Sequence, residues 1–350
     1  MAQTGIIKDD RYMDHVADEY HPESHRRLEV LYKMLPDPDM SGKFLQVEPR
    51  MATQGELELI HVPGYIQLVA STANRSYTML DPDTYACAKS YETAKLAAGG
   101  VLKAVDKVLG GELDNAFALI RPPGHHAESN RAMGFCLFNN VAIAAGYAIK
   151  THKLKKALII DWDLHHGNGT QHSFYERADI LYFSTHQFPY YPGTGNIHET
   201  GSGAGKGFTV NVPLSQGPGD AEYMQVFEEI LEPIAVEFNP DIIFVSAGFD
   251  IYYRDPLGGM QVTPQGFSNL ARIVLEFAQA TCKGKVIFVL EGGYHLDGLR
   301  DSVKEVLQTM RGDILPQGRN EEIREKVDHR LIDPILKRVK EAQKPFWKNL

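Results

Sequence analysis

Residues 157–170 read ALIIDWDLHHGNGT, an apolar run that ends abruptly in charged and glycine-rich sequence. The first four residues are apolar throughout, which is typical of a strand buried on both faces of a parallel sheet. Asp161, Asp163 and His165 follow at spacings of two residues, so an extended backbone can present them on one side. Because an unpaired buried carboxylate is costly, we interpret Asp163 and His165 as candidate metal ligands.

Short apolar runs of the same kind recur along the chain. The others lie at residues 116–120, 180–183, 208–212, 242–245 and 286–290. Amphipathic stretches of helical length lie beside them, at residues 91–109, 221–238 and 264–282. Strands that alternate with helices predict right-handed crossovers and a parallel sheet. The predicted fold class is therefore α/β, as a single domain with a central, mostly parallel β-sheet flanked by helices.

Unusual polar sequence follows five of these runs on their C-terminal side. The clusters are RPPGHHAE at 121–128, DWDLHHGNGT at 161–170, STHQ at 184–187, SAGFD at 246–250 and EGGYH at 291–295. Open α/β sheets bind ligands just beyond the carboxyl ends of their strands. We therefore expect the five clusters to converge on one site, although they are far apart in the sequence.

The residue types in these clusters indicate metal-dependent acid–base chemistry. Asp163, His165 and Asp250 form a mixed oxygen and nitrogen set that suits zinc or Fe(II) and leaves a position open for water. His125 and His126 follow a Pro-Pro-Gly turn, and we assign them to acid–base work rather than to metal binding. Tyr294, beside two glycines, is a candidate hydrogen-bond donor to a developing oxyanion.

Composition and the motifs that are absent exclude several classes of function and indicate a cellular location. The 350 residues carry a net charge of −9, which disfavours nucleic acid as a partner. No apolar run approaches the ~20 residues that a membrane helix needs, and no secretory signal is visible. The three cysteines form no CxxC pair, so we expect a cytoplasmic protein without disulfides. Neither a GxSxG elbow nor a phosphate-binding loop occurs.

Taken together and in this order, the motifs resemble the histone deacetylase superfamily, which has an arginase-like α/β fold. The resemblance runs from residue 21 to about residue 297. It includes GFCLFNN at 134–140 and YPGTG at 191–195 in addition to the clusters above. The RPPGHHAE motif and the asparagine at position 168 resemble the class II branch and its bacterial relatives.

The resemblance implies a role for each residue at the catalytic centre. Asp163, His165 and Asp250 would bind zinc. His126 would be the general base, and His125 would be its partner, held by Asp161. Asn168 stands where class I relatives carry a second aspartate, so His126 should be the less basic of the two histidines. Tyr294 would donate a hydrogen bond to the amide oxygen.

The resemblance also implies a substrate tunnel and a second ion. Phe135 and Tyr191 would wall the tunnel, Gly134 would accept the amide N–H and Asp83 would lie at the rim. Leu257 occupies a position where polyamine-specific eukaryotic relatives carry glutamate, which favours an acyl-lysine peptide. A structural potassium ion would be held by the carboxylate of Asp161, the hydroxyl of Ser184 and backbone carbonyls of Asp161, Asp163, His165 and Thr185.

We therefore expect a zinc-dependent amide hydrolase that removes acetyl or other acyl groups from lysine side chains of proteins or peptides. Two alternatives remain open: an acetylpolyamine amidohydrolase with the same mechanism, and a non-catalytic acyl-lysine binding module. We expect a catalytic domain over residues 1–310 and a charged C-terminal segment, residues 311–350, that packs on or extends the same domain. The oligomeric state is open, a homo-oligomer included.

Overall fold

The protein is described by a computed structural model over residues 2–16, 21–313 and 319–350. Its strands are β1 (Thr4–Ile7), β2 (Leu45–Val47), β3 (Thr78–Asp81), β4 (Thr84–Ala86), β5 (Asn115–Ala118), β6 (Ala157–Asp161), β7 (Ile180–Gln187), β8 (Thr209–Leu214), β9 (Ile242–Ala247) and β10 (Val286–Leu290). Its α-helices are α1 (Arg26–Met34), α2 (Gln54–Leu57), α3 (Pro63–Ala70), α4 (Ser90–Leu109), α5 (Asn140–Thr151), α6 (Asn168–Phe174), α7 (Asp220–Val226), α8 (Glu232–Phe238), α9 (Pro264–Cys282), α10 (Leu296–Arg311), α11 (Arg319–Arg324) and α12 (His329–Gln343).

Eight strands form one sheet in the order β2-β1-β5-β10-β9-β6-β7-β8. Every strand pair within this sheet is parallel. Each residue of β5, β6, β9 and β10 is buried, which explains why these strands read as continuous apolar runs. Helices α4, α5 and α9 pack against these central strands. The predicted α/β fold with a central parallel sheet is confirmed.

The strands that the sequence analysis missed are short or lie outside the central part of the sheet. Strands β1 and β2 contain only four and three residues, and β2 is an edge strand with two exposed residues. Strands β3 and β4 form a separate antiparallel hairpin, and no residue of β3 is fully buried. Runs this short carry too little periodicity to be distinguished from loops.

The amphipathic stretch 221–238 is one helical run with an interruption. A π-helical turn over residues 227–231 separates α7 from α8, and the N–H of Glu232 donates to the carbonyl of Phe227, five residues earlier. Pro233 follows directly and has no N–H to donate. A wider turn before a proline lets the helical run continue past a residue that would break a regular ladder.

The C-terminal part of the chain packs on the last strand of the sheet. The side chain of Gln343, at the end of α12, donates to the carbonyl of Thr209 in β8 at 3.0 Å. Residues 314–318 of the predicted segment 311–350 lie outside the described residues, and the division at residue 310 stays a prediction. Among the described helices, none combines the length and apolar character needed to cross a bilayer.

Candidate active site

The candidate site lies where β5, β6, β7, β9 and β10 end. These strands are neighbours in the sheet, and all of them point in the same direction. The polar clusters that follow β5, β6, β9 and β10 are linked by direct hydrogen bonds at this edge. The side chain of Asp163 accepts from the N–H of Gly292, and that of Asp250 accepts from the N–H of Leu164, each at 2.8 Å.

Asp163, His165 and Asp250 form the one group among the described residues whose donor atoms could surround a metal ion. One ligand atom from each lies within 4.8 Å of the others. His165 Nδ1 is 3.2 Å from Asp163 Oδ1 and 3.2 Å from Asp250 Oδ2. Two oxygen donors and one nitrogen donor, all buried, fit a divalent transition metal and leave coordination positions free.

Backbone groups hold the candidate ligands in place. Asp163 Oδ1 accepts from the N–H of His165 at 2.9 Å, which folds the chain back on itself within three residues. A side chain at Gly292 would place its Cβ 2.3 Å from Asp250 Oδ2, so the backbone can approach the carboxylates only at a glycine. Close packing against the candidate metal ligands therefore requires glycine at position 292 of the EGGYH motif.

Asp163, His165 and Asp250 shift one another's pKa values. Burial and the negative charge of Asp163 raise the pKa of Asp250 to about 7. Burial opposes a charge on His165, but hydrogen bonds to Asp163 and Asp250 outweigh it and raise the pKa of His165 to about 9. Two carboxylates around one imidazole therefore leave excess negative charge in a buried place. A bound divalent cation would neutralise that charge.

His125 is paired with a buried carboxylate. Its Nδ1 donates to Asp161 Oδ2 at 3.1 Å, and the hydroxyl of Tyr182 donates to the same oxygen at 3.0 Å. Burial disfavours the imidazolium, but the charges of Asp163 and Asp161 prevail and raise the pKa of His125 to about 10. Tyr182 lies in β7 and was not identified from the sequence, because its position inside an apolar run indicates only a core residue.

His126 has a neutral partner instead. Its Nδ1 lies 2.8 Å from the amide oxygen of Asn168, the first residue of α6. Burial, together with the positive charges of His125 and His165, holds the pKa of His126 well below its usual range. His126 is therefore the less basic of the two adjacent histidines, and it is neutral at pH 7.

A cavity of about 140 Å³ opens beside these groups. It is lined by His126, His165 and Tyr294 together with all five residues predicted to contact substrate, which are Asp83, Gly134, Phe135, Tyr191 and Leu257. The rings of His126 and Tyr191 meet edge to face at 5.2 Å. Gly134 has a φ of +56°, and a Cβ there would lie 2.2 Å from the ring of His126. The wall of the cavity therefore requires glycine at this position.

Tyr294 is held from three sides. Its backbone N–H donates to Asp255 Oδ2 at 2.6 Å, and its ring meets that of Phe135 edge to face at 6.0 Å. The guanidinium of Arg27 lies 5.1 Å from the centre of the ring. Burial and the nearby charge of Asp250 raise the pKa of the Tyr294 hydroxyl well above its ordinary value, so it remains a proton donor in hydrogen bonds.

The residues predicted to bind potassium lie on adjacent strands. Asp161 at the end of β6 pairs with Ser184 in β7, and Thr185 follows Ser184 in the same strand. All three are fully buried. The hydroxyl of Ser184 lies 2.9 Å from His186 Nδ1. Their oxygen donors are of the kind that an alkali cation accepts.

A buried ion-pair cluster supports the site and was missed by the sequence analysis. Arg121, the first residue of the RPPGHHAE motif, is fully buried and donates to Glu23 Oε2 at 2.7 Å. Arg27 donates to Glu23 Oε1 at 3.1 Å and to the carbonyl of Gly293 at 2.7 Å. The cluster thus ties the start of α1 to the EGGYH turn. Arg121 lies 98 residues from Glu23 in the sequence, so no local pattern reveals that pair.

Comparison with known proteins places this site in context. The profile of the histone deacetylase domain matches residues 21–310. Histone deacetylase 5 of Arabidopsis thaliana is 41% identical over 96% of this chain, which spans 53% of that relative. A probable deacetylase of Archaeoglobus fulgidus is 39% identical, with 84% of this chain and 82% of the relative covered. This chain spans about half the length of several of its curated relatives.

A solved structure has the same architecture. The crystal structure of the HD domain of HDA15 superposes with a TM-score of 0.92 at 37% sequence identity. The match covers 99% of this chain and 98% of the other. The family profile matches most of the chain, and the relatives align over nearly all of it. On these grounds, together with the residues gathered at the sheet edge, the chain belongs to the histone deacetylase family.

Proposed function

We propose that the protein is a zinc-dependent deacetylase that removes acetyl groups from lysine side chains of proteins or peptides. The observation that carries the proposal is the cavity, which brings one of three candidate metal ligands, His165, together with His126 and Tyr294. Its aromatic walls, Phe135 and Tyr191, suit the methylene chain of a lysine. Membership of the histone deacetylase family, and similarity to a probable deacetylase, support the same activity.

Zinc is the proposed ion because three protein ligands of mixed oxygen and nitrogen type leave a position for water. Asp163, His165 and Asp250 would hold it. When bound, such an ion supplies Lewis-acid polarisation of the amide carbonyl and lowers the pKa of water near it. We also propose a structural potassium ion at Asp161 and Ser184, supported by their burial and adjacency on β6 and β7.

The side chains of the protein perform the proton transfers. Neutral His126 accepts a proton at Nε2 as water attacks the amide carbon. The hydroxyl of Tyr294 donates a hydrogen bond to the carbonyl oxygen as that oxygen gains negative charge. A protonated histidine then delivers a proton to the departing amine, and acetate and free lysine leave. His125, paired with Asp161, supplies the positive charge next to His126.

One observation favours a second substrate class, the acetylated polyamines. Asp83 lies in the lining of the cavity. Burial and the charge of nearby Asp83 raise the pKa of the Asp81 carboxyl. One carboxylate in the cavity lining, with a second one near it, would attract a small cation. Leu257 opposes this alternative, because it offers no charge to a second ammonium group.

The test compares kcat/KM for an acetyl-lysine peptide with kcat/KM for N-acetylputrescine and N-acetylspermidine on one zinc-loaded preparation. A chelator control and parallel loading with Fe(II) identify the ion. We expect the peptide to be preferred and the chelator to abolish turnover. Preference for the polyamines would support the alternative substrate, and tight acyl-lysine binding without turnover would support a non-catalytic binding module. Chelator-resistant turnover would contradict the metal proposal.

The cellular location is also a proposal. All three cysteines, Cys87, Cys136 and Cys282, are free thiols. Free thiols are the rule in reducing compartments, so we propose the cytoplasm. Fractionation of cells that express the tagged chain tests this proposal, and recovery mainly outside the cytoplasmic fraction would contradict it.

A further inference from the structure

A chain of hydrogen bonds leads from His126 away from the cavity. His126 Nδ1 lies 2.8 Å from Asn168 Oδ1, and Asn168 Nδ2 donates to Glu128 Oε1 at 2.5 Å. The same carboxylate oxygen lies 2.8 Å from Nδ1 of His172, whose side chain is half exposed. Glu128 lies in a loop, where a glutamate is usually solvated, so its sequence position alone indicates no role.

The carboxylate determines how the amide of Asn168 is oriented. An ionised carboxylate can only accept hydrogen bonds, so the group that faces Glu128 must be the NH₂ of the amide. The other neighbours of Asn168 Nδ2 are the carbonyl oxygen of His126 and the sulfur of Met133, each at 3.3 Å, and both are acceptors too. No donor competes for this end of the amide among these contacts.

The orientation of the amide in turn determines the tautomer of His126. With its NH₂ directed to Glu128, Asn168 presents only a carbonyl oxygen to His126 Nδ1, and that oxygen can only accept. The hydrogen of neutral His126 must then be on Nδ1, which leaves the lone pair on Nε2. A reversed amide would place a donor at Nδ1 and move the hydrogen to Nε2, where a general base needs its lone pair.

Glu128 is well placed for this task. Its side chain is only 14% exposed, and its backbone carbonyl accepts from His61 Nδ1 at 2.9 Å. Its own N–H donates to the carbonyl of Arg131 at 2.9 Å. Burial would raise the pKa of Glu128, but hydrogen bonds from His172 and Asn168 lower it overall, so the carboxylate is ionised at neutral pH.

We propose that Glu128 is a positioning residue that selects the Nδ1–H tautomer of His126 through the amide of Asn168. The inference rests on the proposed function of His126 as the general base. It explains how an asparagine can serve at a position where a carboxylate would orient the histidine by itself. The asparagine needs a second, acceptor-only group behind it, and Glu128 is that group.

The kinetic test uses a rescue. In Glu128→Ala the amide of Asn168 is free to reverse, and we expect kcat to fall roughly 10- to 100-fold with KM nearly unchanged. The double variant Glu128→Ala/Asn168→Asp should regain most of kcat, because an aspartate accepts from His126 without help. Glu276→Ala, an exposed glutamate paired with Arg272, is the matched control and should be unaffected. A double variant no more active than Glu128→Ala would overturn the proposal.

A second measurement separates this proposal from the deacetylase proposal. The ¹⁵N shifts of histidine side chains report which ring nitrogen carries hydrogen, and comparison with His126→Ala assigns the His126 signals. We expect the Nδ1–H form in the zinc-loaded protein and in the double variant, and a shift toward Nε2–H in Glu128→Ala. Nε2–H in the unmodified protein would overturn the proposal. This readout holds even if no tested substrate is hydrolysed, an outcome that would count against the deacetylase function alone.

Discussion

Two adjacent histidines have opposite electrostatic environments, and the difference comes from a few side chains. The rings of His125 and His126 are 4.0 Å apart, so a charge on one disfavours a charge on the other. Asp161 faces His125 directly, whereas an amide faces His126. His125 is therefore the protonated histidine, and His126 is neutral and can accept a proton. Sequence adjacency alone cannot assign these roles, because it does not show which partner each ring faces.

Tyr294 is the residue whose proposed role is simplest to test. In Tyr294→Phe, the ring retains its contacts with Phe135 and Arg27 but loses the hydroxyl. We expect kcat to fall roughly 100- to 1,000-fold, since one oxyanion donor contributes about that much, while the zinc content stays the same. Tyr253→Phe, an exposed tyrosine outside the cavity lining, is the control. Turnover near that of the unmodified enzyme would rule out the oxyanion role.

Asp250 tests the metal proposal directly. Asp250→Asn keeps the size of the side chain but removes a charge from the group that would bind the ion. We expect zinc affinity to fall more than about 100-fold, because even residues behind the ligands change it 10- to 100-fold. Elemental analysis after dialysis against a fixed free zinc concentration measures the effect. Asp297→Asn, 71% exposed on α10, serves as the control. Full zinc occupancy in Asp250→Asn would contradict the ligand assignment.

At the scale of elements, the central strands were predictable and the supporting contacts were not. The run 286–290 coincides with β10, and the stretch 264–282 coincides with α9, because full burial and Pro264 leave clear signals. The convergence of the clusters followed from the direction of parallel strands. Asp255, which holds Tyr294 and lies 39 residues from it, has no such signal. Contacts of this kind depend on tertiary packing, which no local period encodes.

Glu23 is a fully buried carboxylate just before α1. Its ionisation makes the free energy of unfolding of the protein depend on pH. Burial raises the pKa of Glu23, but the charges of Arg121 and Arg27 prevail and lower it from 4.5 to about 2. The unfolded chain therefore binds a proton before the folded protein does. The stabilisation from Glu23 is fully present above pH 4.5 and decreases as the pH falls toward 2.

Glu23→Gln tests this dependence, because glutamine resembles a protonated glutamate. At pH 7 we expect the variant to unfold with roughly 3–5 kcal/mol less free energy, since two buried guanidinium groups lose their charge partner. The difference from the unmodified protein should shrink as the pH is lowered from 4.5 toward 2. Urea titrations of both proteins at several pH values measure this difference. A difference independent of pH would show that the charge of Glu23 contributes nothing.

At the scale of the whole molecule, the two ends of the parallel strands have different surroundings. The carboxyl ends of the strands carry the candidate site, whereas the C-terminal segment packs at the start of β8, which is an edge strand. Edge strands expose unpaired backbone groups that invite association. Here the indole N–H of Trp347 donates to the carbonyl of Gly207, just before β8, at 3.0 Å. The ring also meets Phe208 at 5.6 Å and Phe238 at 6.3 Å.

Because the C-terminal segment and the candidate site lie at opposite ends of the strands, we expect substitutions in that segment to lower stability without lowering activity. Trp347 is 6% exposed, so Trp347→Ala should cost roughly 3–5 kcal/mol of unfolding free energy and lower Tm. Trp347→Phe keeps the aromatic packing but loses the hydrogen bond, and it should lower Tm less. Below the transition temperature, both variants should retain zinc content and kcat/KM, because the substitution lies at the opposite end of the strand from the site. Calorimetry measures Tm, and initial rates on the same preparations measure kcat/KM. A loss of kcat/KM with an unchanged Tm would mean that the C-terminal segment acts on the site itself rather than on the edge of the sheet.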